Sequence, residues 1–428
     1  YDFNDTDFSV SDDLLKSYLD SYEQTPWDAL KYLIAEANYG GRVTDELDRR
    51  VLASYMNKFY CEDALAVQQY PLSPLPTYYI PDNGPLQSFK DYITTLPTGD
   101  RPEAFGQHSN AEISYLIEDS RVLLDSLLSL QPRGAAGGGG GAAAGGAKAV
   151  SREDLVMTIA SDLLEQVPGP FNLEDVMRSK ADDPSALHVV LFQEIERYNA
   201  LLVAVRRSCV ELQKGIKGLV VMSADLDAIF DALYNAKVPA AWLKAYPSLK
   251  PLGPWTRDLL ARIEQLAKWV EEGYPRVYWL GGFTYPTGFL TAVLQTTARK
   301  NSVPIDTLSF EFSIINLDER EILQPPKEGV YVKGMFLEGA GWDFENGCLC
   351  EPNPMELIVP MPIILFRPVE NKKKSQKGVY VCPLFLYPLR TGTRERPSFM
   401  INVDLRAGAA DPDHWIMRGT ALLLALAS

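Results

Sequence analysis

The sequence predicts an α+β protein, with helices in roughly the first two thirds and an antiparallel, barrel-like β unit in the last third. Two observations support this prediction. Up to about residue 274, apolar residues recur every three or four positions, which is the period of an amphipathic helix. Beyond it, short stretches alternate apolar and polar residues, which is the period of a half-buried strand. We therefore expect one change of structural class, near Tyr274.

The composition is that of a globular protein with an acidic surface. The chain has 428 residues, of which 46% are hydrophobic, and a formal net charge of −15 at pH 7. This length allows two or three domains. The charge argues against nucleic acid and anionic membranes as partners of the whole surface, although it does not exclude a local basic patch.

The sequence predicts neither a secretory signal nor a membrane span. The segment from Tyr1 to Asp5 is acidic and lacks the apolar core of a signal peptide. The first residue is not Met, so we expect the chain to begin inside a longer protein. The longest apolar run, Ala421 to Ala427, is too short to cross a bilayer. Five scattered cysteines favour a reducing compartment, most simply the cytoplasm.

Several helices are predicted in the first 130 residues. Ser11 is the expected N-cap of the first. A second run begins after Pro26 and is stopped by the glycine pair at 40–41. Further helices are predicted from Asp45 to Phe59 and from Asn110 to Leu130.

A tract of only Gly and Ala, residues 134–146, is the clearest loop or linker in the sequence. The sharper alternative is a phosphate-binding loop. That motif needs Ser or Thr after its lysine, whereas Lys148 is followed by Ala149, and no apolar strand precedes the tract. The pattern therefore favours a flexible surface loop.

One helix is predicted to be unusually long. Its apolar stripe spans residues 187–219 with steps of three or four, so the helix would extend roughly 50 Å at 1.5 Å per residue. It is either a core helix of one domain or a strut that crosses several neighbouring domains. Gly215 and Gly218 leave room for close packing at its C-terminal end.

The period changes after a last amphipathic helix, Thr256 to Glu272, which Gly273 closes. Strands are predicted at 308–314, 330–337, 362–366, 379–387 and 399–405. Five or six strands in about 120 residues suggest a closed or nearly closed antiparallel unit.

Residues that could carry chemistry are present but do not form a recognisable set. His108, His188 and His414 lie far apart; His188 is expected to be structural and His414 to pair with the neighbouring Asp413. Cys348 and Cys350 could bind a metal, but no second pair or nearby His completes a tetrahedral set. The sequence therefore predicts no catalytic, cofactor-binding or metal-binding residue in this chain.

Arg42, Arg49 and Arg50 form the strongest basic cluster of the first half. An arginine here could reach a phosphate in a neighbouring module, as arginine fingers do. The simpler expectation is that Arg42 pairs with Asp45 or Asp48 and fixes the turn after the two glycines.

Two further clusters have a structural and a functional interpretation. Residues Lys372 to Lys374 are expected to lie in a solvated loop rather than in a binding patch. An aromatic cluster is expected to be core rather than a ligand platform, and its members are Tyr274, Tyr278, Trp279, Phe283, Tyr285 and Phe289.

Motifs spread along the whole sequence resemble the C-terminal region of dynein heavy chains. The first is Tyr39-Gly40-Gly41-Arg42-Val43-Thr44-Asp45, and the second is Gly218-Leu219-Val220-Val221-Met222-Ser223. Co-linear matches also include Pro26-Trp27-Asp28-Ala29-Leu30, Pro102-Glu103-Ala104-Phe105-Gly106, Asn110-Ala111, Tyr246-Pro247-Ser248-Leu249-Lys250-Pro251, Gly288-Phe289-Leu290-Thr291 and His414-Trp415-Ile416 with Arg418-Gly419. The segments 337–343, 373–378 and 412–416 are most similar to axonemal inner-arm heavy chains.

The resemblance implies three parts. Residues 1–180 would be the end of the sixth AAA+ module, mainly its helical small subdomain, including the loop at 134–146. Residues 181–274 would hold the strut helix and the helical part of the C-terminal domain, and residues 275–428 its β-barrel-like part.

The resemblance also implies a function. The chain would be a structural and regulatory part of the ring of an ATP-driven, minus-end-directed microtubule motor of cilia and flagella. ATP and Mg²⁺ would belong to the parent motor and not to this stretch, whose own ATPase activity is not implied. Implied partners are neighbouring AAA+ modules, dynein light and intermediate chains, and the microtubule through parts not present here; the implied location is the cytoskeleton of the axoneme.

Two alternatives remain at this point. One is a freestanding enzyme that uses the aromatic cluster and Arg299 as a small-molecule site, which requires a compact pocket with convergent titratable groups. The other is a freestanding scaffold or binding module of the axoneme, acting through the β unit at 275–428 without motor activity.

Overall fold

The computed structural model describes residues 4–99, 101–130, 151–183, 185–244, 248, 250–372, 377–386 and 398–424. These residues form a mixture of helices and strands, so the α+β class is confirmed. The predicted Gly/Ala loop at 134–146 and two of the three predicted loop lysines, Lys373 and Lys374, lie outside the described residues.

The helices are α1 (Asp5–Ser21), α2 (Trp27–Tyr32), α3 (Glu46–Phe59), α4 (Asp63–Ala66), α5 (Leu86–Thr95), α6 (Asn110–Leu130), α7 (Arg152–Gln166), α8 (Leu173–Ser179), α9 (Ala186–Ile216), α10 (Ala224–Tyr234), α11 (Leu252–Glu272), α12 (Pro286–Asn301) and α13 (Pro412–Met417). The strands are β1 (Val277–Trp279), β2 (Leu308–Ile315), β3 (Val330–Lys333), β4 (Phe336–Glu338), β5 (Gly341–Asp343), β6 (Cys348–Cys350), β7 (Ile358–Pro360), β8 (Ile363–Glu370), β9 (Val379–Leu386), β10 (Ser398–Arg406) and β11 (Ala421–Leu423). No helix among the described residues is both long and apolar enough to cross a membrane.

The first helix begins earlier than the sequence predicts. Asn4, not Ser11, caps α1, and its side chain accepts a hydrogen bond from the backbone N–H of Asp7. Ser11 is buried inside the helix and donates its hydroxyl proton to the carbonyl of Asp7 at 2.9 Å. A serine can act inside a helix in this way because its hydroxyl bonds back to the preceding turn.

The predicted stop at the glycine pair is confirmed. Helix α2 continues as a π-helical turn, Leu33–Tyr39, which ends where Gly40 begins. A Cβ atom at Gly40 would lie 2.3 Å from the carbonyl oxygen of Glu36, so only glycine fits there. Asp45 then caps α3, so this helix begins where the sequence predicts.

The long helix α9 matches its predicted stripe up to its last turn. The stripe positions from Leu187 to Leu212 are buried against neighbouring helices that include α7 and α12. Leu219 was expected on the same stripe but is 72% exposed. The reason is Gly218, which has φ +72° and turns the backbone away, so that the N–H of Leu219 bonds to the carbonyl of Lys214.

The strands of the described residues form two larger sheets and a hairpin. The first sheet has the order β1-β3-β8-β2, the second has the order β10-β9-β11-β4-β7, and β5 pairs with β6. The expected purely antiparallel arrangement is wrong at two places, because β1 pairs with β3 and β11 pairs with β9 in parallel. Helix α12 and β2 lie between β1 and β3 in the sequence, so there is room for the crossover that parallel pairing needs. The pairings among the described residues do not close a barrel, so the barrel-like shape stays a prediction.

The predicted strand at 330–337 is divided into β3 and β4. Gly334 has φ +82°, and a Cβ there would lie 2.3 Å from a ring carbon of Trp279. The backbone therefore bends at Gly334 and passes from the first sheet to the second.

The edge strand β1 is covered by a side chain of α11. Gln265 accepts a hydrogen bond from the backbone N–H of Trp279 at 2.7 Å and donates its amide to the carbonyl of the same residue at 3.2 Å. One glutamine thus satisfies both backbone groups of an edge residue.

Candidate functional site

The three arginines of the first half hold different structures. Arg49 donates to the carbonyls of Val43 at 2.7 Å and Gly40 at 2.8 Å, so it closes the turn after the glycine pair. Arg42 binds the buried carboxylate of Asp7 at 2.9 Å, a partner that the sequence did not indicate. The turn is thus held by Arg49, whereas the sequence assigned this role to Arg42.

Arg50 reaches out of the N-terminal helices to the second sheet. Its guanidinium donates to the carbonyl of Val381 at 2.6 Å and to the phenol oxygen of Tyr380 at 3.2 Å. The phenol of Tyr380 in turn donates to the carbonyl of Thr420 at 2.6 Å. Burial raises the pKa of Tyr380, so its phenol stays neutral and both hydrogen bonds persist across the physiological range.

Asn110 makes a second connection between the two parts of the molecule. Its side-chain amide donates to the carbonyls of Asn353 at 2.9 Å and Glu356 at 3.2 Å. Its side-chain oxygen accepts the backbone N–H of Met355 at 2.9 Å. Asn110 is 8% exposed, and these three bonds use both ends of its amide group.

Arg418 makes the third connection. It donates to the carbonyl of Gly106 at 3.1 Å and forms an ion pair with Glu351 at 3.0 Å. His414 also binds Glu351, at 2.5 Å, instead of the expected Asp413. Burial alone raises the pKa of Glu351, but the hydrogen bond from His414 and the charge of Arg418 outweigh it and hold the pKa below its ordinary value.

We call these contacts together the polar seam. On one side it consists of Arg50, Gly106 and Asn110. On the other side it consists of Tyr380 and Val381, the backbone at 353–356, and Arg418. A cavity of about 330 Å³ lies along it and is lined by His108, Ser114, Tyr115, Glu338, Glu356 and Arg418, among others.

The main hydrophobic core does not cross the polar seam. One cluster of buried apolar residues runs from Val156 in α7 to Leu424 and joins α9, α11, α12 and both sheets. None of the apolar residues described between 4 and 130 belongs to it, not even among the half-buried ones packed on its surface. The polar seam therefore lies outside the main core, and the apolar contact described beside it is that of the Met417 side chain with Gly106.

The remaining histidine and cysteine candidates have local partners. His188 is buried, and its Nδ1 lies 2.9 Å from the carbonyl oxygen of Asp183, as expected for a structural residue. Cys348 and Cys350 lie on β6, and burial raises the pKa of the Cys350 thiol. In the part of the sequence that the structure describes, no three His, Cys, Asp or Glu side chains form a metal-binding group.

The aromatic cluster is mostly core. Tyr278, Phe283 and Phe289 are at most 3% exposed, whereas Tyr274 and Tyr285 are 39% and 54% exposed. An open groove of about 470 Å³ is lined by Tyr274, Tyr278, Arg299 and Asp183 among others. This groove is open and not the compact pocket that a small-molecule enzyme needs.

Lys372, the described lysine of the predicted loop, binds Asp404 at 2.6 Å.

Comparisons with known proteins place the polar seam in a family context. A family model described as the C-terminal domain of the dynein heavy chain matches residues 117–424. The protein belongs to the dynein heavy chain family. A second model, described as the AAA lid domain of the dynein heavy chain, matches residues 1–111. Arg50, Gly106 and Asn110 all lie in the lid match, and their partners all lie in the C-terminal match, so the polar seam joins the two dynein domains.

The similar relatives are axonemal dynein heavy chains. The sequence is 86% identical over its whole length to a dynein-1-beta heavy chain of the flagellar inner arm I1 complex from Chlamydomonas reinhardtii. It is 52% identical to human dynein axonemal heavy chain 2 and 39% identical to human dynein axonemal heavy chain 3, again over its whole length. It spans only 9–10% of the length of these relatives.

Sequence reasoning singled out some members of the polar seam and missed others. Arg50 was singled out as a basic residue, and Asn110 and Arg418 fall in motifs that carried the dynein resemblance. Tyr380, Val381 and the backbone at 353–356 gave no signal, because backbone carbonyls act as acceptors whatever their side chains are.

Proposed function

We propose that this protein is the lid and C-terminal part of an axonemal dynein heavy chain, and that it serves the ring as a structural and regulatory element. The whole-length similarity to axonemal heavy chains is the observation that carries the proposal. The parent would be an ATP-driven, minus-end-directed microtubule motor of cilia and flagella, with ATP and Mg²⁺ bound outside this stretch.

The contacts of the arginines support a mechanical role over nucleotide sensing. Arg42 binds Asp7, Arg49 closes the turn after the glycine pair, and Arg50 joins the lid to the C-terminal domain. An arginine that senses a phosphate needs donors aimed at the ligand. The hydrogen bonds of these three side chains are instead directed into the protein itself.

The domain division is part of the proposal. The expected boundary at residue 180 would separate α7 and α8 from α9, yet both helices pack on α9 and contribute Val156, Leu163 and Val176 to the main core. We therefore favour a boundary before α7 and assign that helix to the C-terminal domain. The C-terminal part, from residue 275, would act as one barrel-like unit, since strands of both sheets share the main core.

The proposed partners follow from the relatives. The Chlamydomonas relative is described as part of the flagellar inner arm I1 complex. We infer an inner-arm location for this protein too, with neighbouring AAA+ modules of the same heavy chain in direct contact and light chains, intermediate chains and the microtubule bound through other parts.

The size of the native polypeptide tests this proposal. An antibody against residues 300–372 would be used on a denaturing gel of isolated axonemes and of the axoneme-free extract. Because the sequence spans about a tenth of its relatives, we expect an axonemal band about ten times heavier than 47.7 kDa. A band near 47.7 kDa would overturn the proposal and favour the freestanding scaffold.

A further inference from the structure

The polar seam combines three connections that come from separate elements. Arg50 lies on α3, Gly106 follows a short turn, and Asn110 begins α6. Each connection consists of hydrogen bonds, and most of them end on backbone carbonyls. Hydrogen bonds exchange with water at little net cost, whereas separating a shared apolar core exposes surface to water. The seam therefore joins two bodies by contacts that can be exchanged for water.

The polar seam is also incompletely satisfied. The Nε atoms of Arg50 and Arg418 are both buried, and neither has a hydrogen-bond partner among the described residues. An orphaned buried donor costs free energy that opening to water would recover. Burial and the charge of Arg418 also lower the pKa of Lys58, so two cations, one from each domain, lie close together at the polar seam. These costs lower the free energy that opening requires.

We propose that the polar seam is a cooperative latch, which opens and closes as one unit and frees the lid from the C-terminal domain without unfolding either. The three connections link the same two domains, so the loss of one favours the loss of the others. Arg50 is the positioning residue at one end of the latch, and Asn110 lies at the other. The latch itself is argued from the contacts between the two domains. Only its effect on the motor rests on the proposed regulatory role.

The backbone N–H of Met355 reports directly on the latch. It belongs to the C-terminal domain, but its hydrogen-bond acceptor is the Asn110 side chain of the lid. Hydrogen exchange at this amide, followed by mass spectrometry of peptides covering 351–358, therefore measures how often the seam opens. The measurement would use the native polypeptide that carries this sequence.

The decisive variant is Arg50→Ala, because the described hydrogen bonds of Arg50 end on Tyr380 and Val381 and not on the 353–356 backbone. A cooperative latch predicts that this variant speeds hydrogen exchange at Met355 by about tenfold. The variant loses the hydrogen bonds of a charged group at the other end of the seam, and their loss makes opening of the whole seam easier. Asn110→Ala removes the acceptor itself and sets the upper limit of the exchange rate.

Arg42→Ala is the matched control, because it removes an arginine whose ion pair with Asp7 lies wholly within the lid. It should leave Met355 unchanged. Unchanged exchange at Met355 in Arg50→Ala would overturn the latch, because the three connections would then open independently. Faster exchange across α9 as well would also overturn it, because the lid and the core would then unfold together.

Arg50→Lys covers the case in which the alanine variant fails to fold. It keeps the charge and one bond to the sheet, so exchange at Met355 should fall between the rates of the wild type and Asn110→Ala. A rate equal to that of the wild type would count against the latch. None of these outcomes changes the size of the native polypeptide, so the latch and the proposed function can fail separately.

Discussion

Glu194 is a charged residue in the main core, and its burial is explained by its partners. It is 1% exposed and accepts hydrogen bonds from the backbone N–H of Thr284 at 2.7 Å, the hydroxyl of Thr284 at 2.9 Å and the backbone N–H of Tyr285 at 3.1 Å. Arg197 adds a charged donor at 3.0 Å. A buried carboxylate is stable only when it is satisfied in this way, and here it fixes the turn that begins α12 onto α9.

Glu194→Gln should destabilise the protein by roughly 3 kcal/mol. Only the oxygen of the new side-chain amide can accept a hydrogen bond, whereas its NH₂ group would face N–H and O–H donors that now bind the carboxylate. Chemical denaturation followed by circular dichroism measures the change. Glu196→Gln is the matched control, because Glu196 is exposed on the same helix and should have an effect near zero. Equal effects in both variants would show that the contacts of Glu194 are not structural.

Tyr198 is a second buried polar residue of α9. Its phenol donates to the carbonyl of Gly282 at 3.0 Å. Burial raises its pKa to about 12, although the neighbouring Arg262 opposes the shift. The contribution of this group to stability is thus fully present below its ordinary pKa of about 10 and is lost as the pH rises through about 12.

The difference between the ultraviolet absorbance titrations of the wild type and Tyr198→Phe isolates this phenol. We expect the difference to appear only near pH 12. The wild type unfolded in denaturant is the reference, because the ordinary pKa of a tyrosine in water is about 10. If the difference for Tyr198→Phe appears near pH 10 in the folded protein as well, Tyr198 is accessible to water.

Individual partners are the part of the structure that the sequence predicts least well. Arg42 was expected to bind Asp45 or Asp48 but binds Asp7, and the sequence indicated no partner for Arg50 within this chain. Arg50 binds Tyr380 and Val381, about 330 positions away. Local spacing fixes which side chains share a helix face, but it holds no information on contacts that depend on how whole domains dock.

At the scale of elements, periodicity predicted more. The stripe of α9 and the helix from Asp45 to Phe59 were placed to within a few residues, because burial of one face repeats along the sequence. The parallel pairs were not predicted, because alternation shows that a strand is half-buried but not which strand lies beside it. The end of α9 was not placed correctly by its periodicity, because a single residue, Gly218, turns the backbone away there.

A pair of glycine substitutions tests how elements end. Neither Gly218 nor Gly253 has an atom within 4 Å of the place where a Cβ would lie, but Gly218 has φ +72° and Gly253 is in the first turn of α11. Gly218→Ala should therefore destabilise the protein by about 1 kcal/mol, through backbone strain alone. Gly253→Ala should stabilise it by up to about 1 kcal/mol, because alanine is the better helix former.

Thermal unfolding of the two variants measures these changes, and the result that matters is their opposite sign. The added methyl group is the same in both, so differences in solubility or packing are matched. Destabilisation of both would contradict the assigned cause at Gly218, because the added methyl group and not the backbone conformation would then be responsible.

At the scale of the whole molecule, the division into a lid and a C-terminal domain rests on the polar seam. The dynein motifs predicted both parts, but only the structure shows that the main core stops at their junction. Glu351 binds both His414 and Arg418 beside the polar seam. The stability of the seam should therefore depend on the charge of Glu351.

Acid should weaken the polar seam through Glu351. The pKa of Glu351 is lowered in the folded state, so its contribution is fully present above the ordinary glutamate pKa and is lost as the pH falls through the lowered value. Glu351→Gln should remove this part of the pH dependence, and the effect should be small because Glu351 is half-exposed. Acid unfolding curves of the two proteins should converge at low pH; a constant separation would show that Glu351 acts without its charge.

The pairing of Gln265 with Trp279 has a consequence for how copies of this protein meet. Strand edges attract other strands because their backbone groups are unsatisfied, and this attraction is a common origin of aggregation. Here a side-chain amide imitates the peptide group of a neighbouring strand and fills the place it would take. Trp279 therefore has no free backbone group on which a strand of another copy could pair, so this end of the edge is protected from strand-to-strand aggregation.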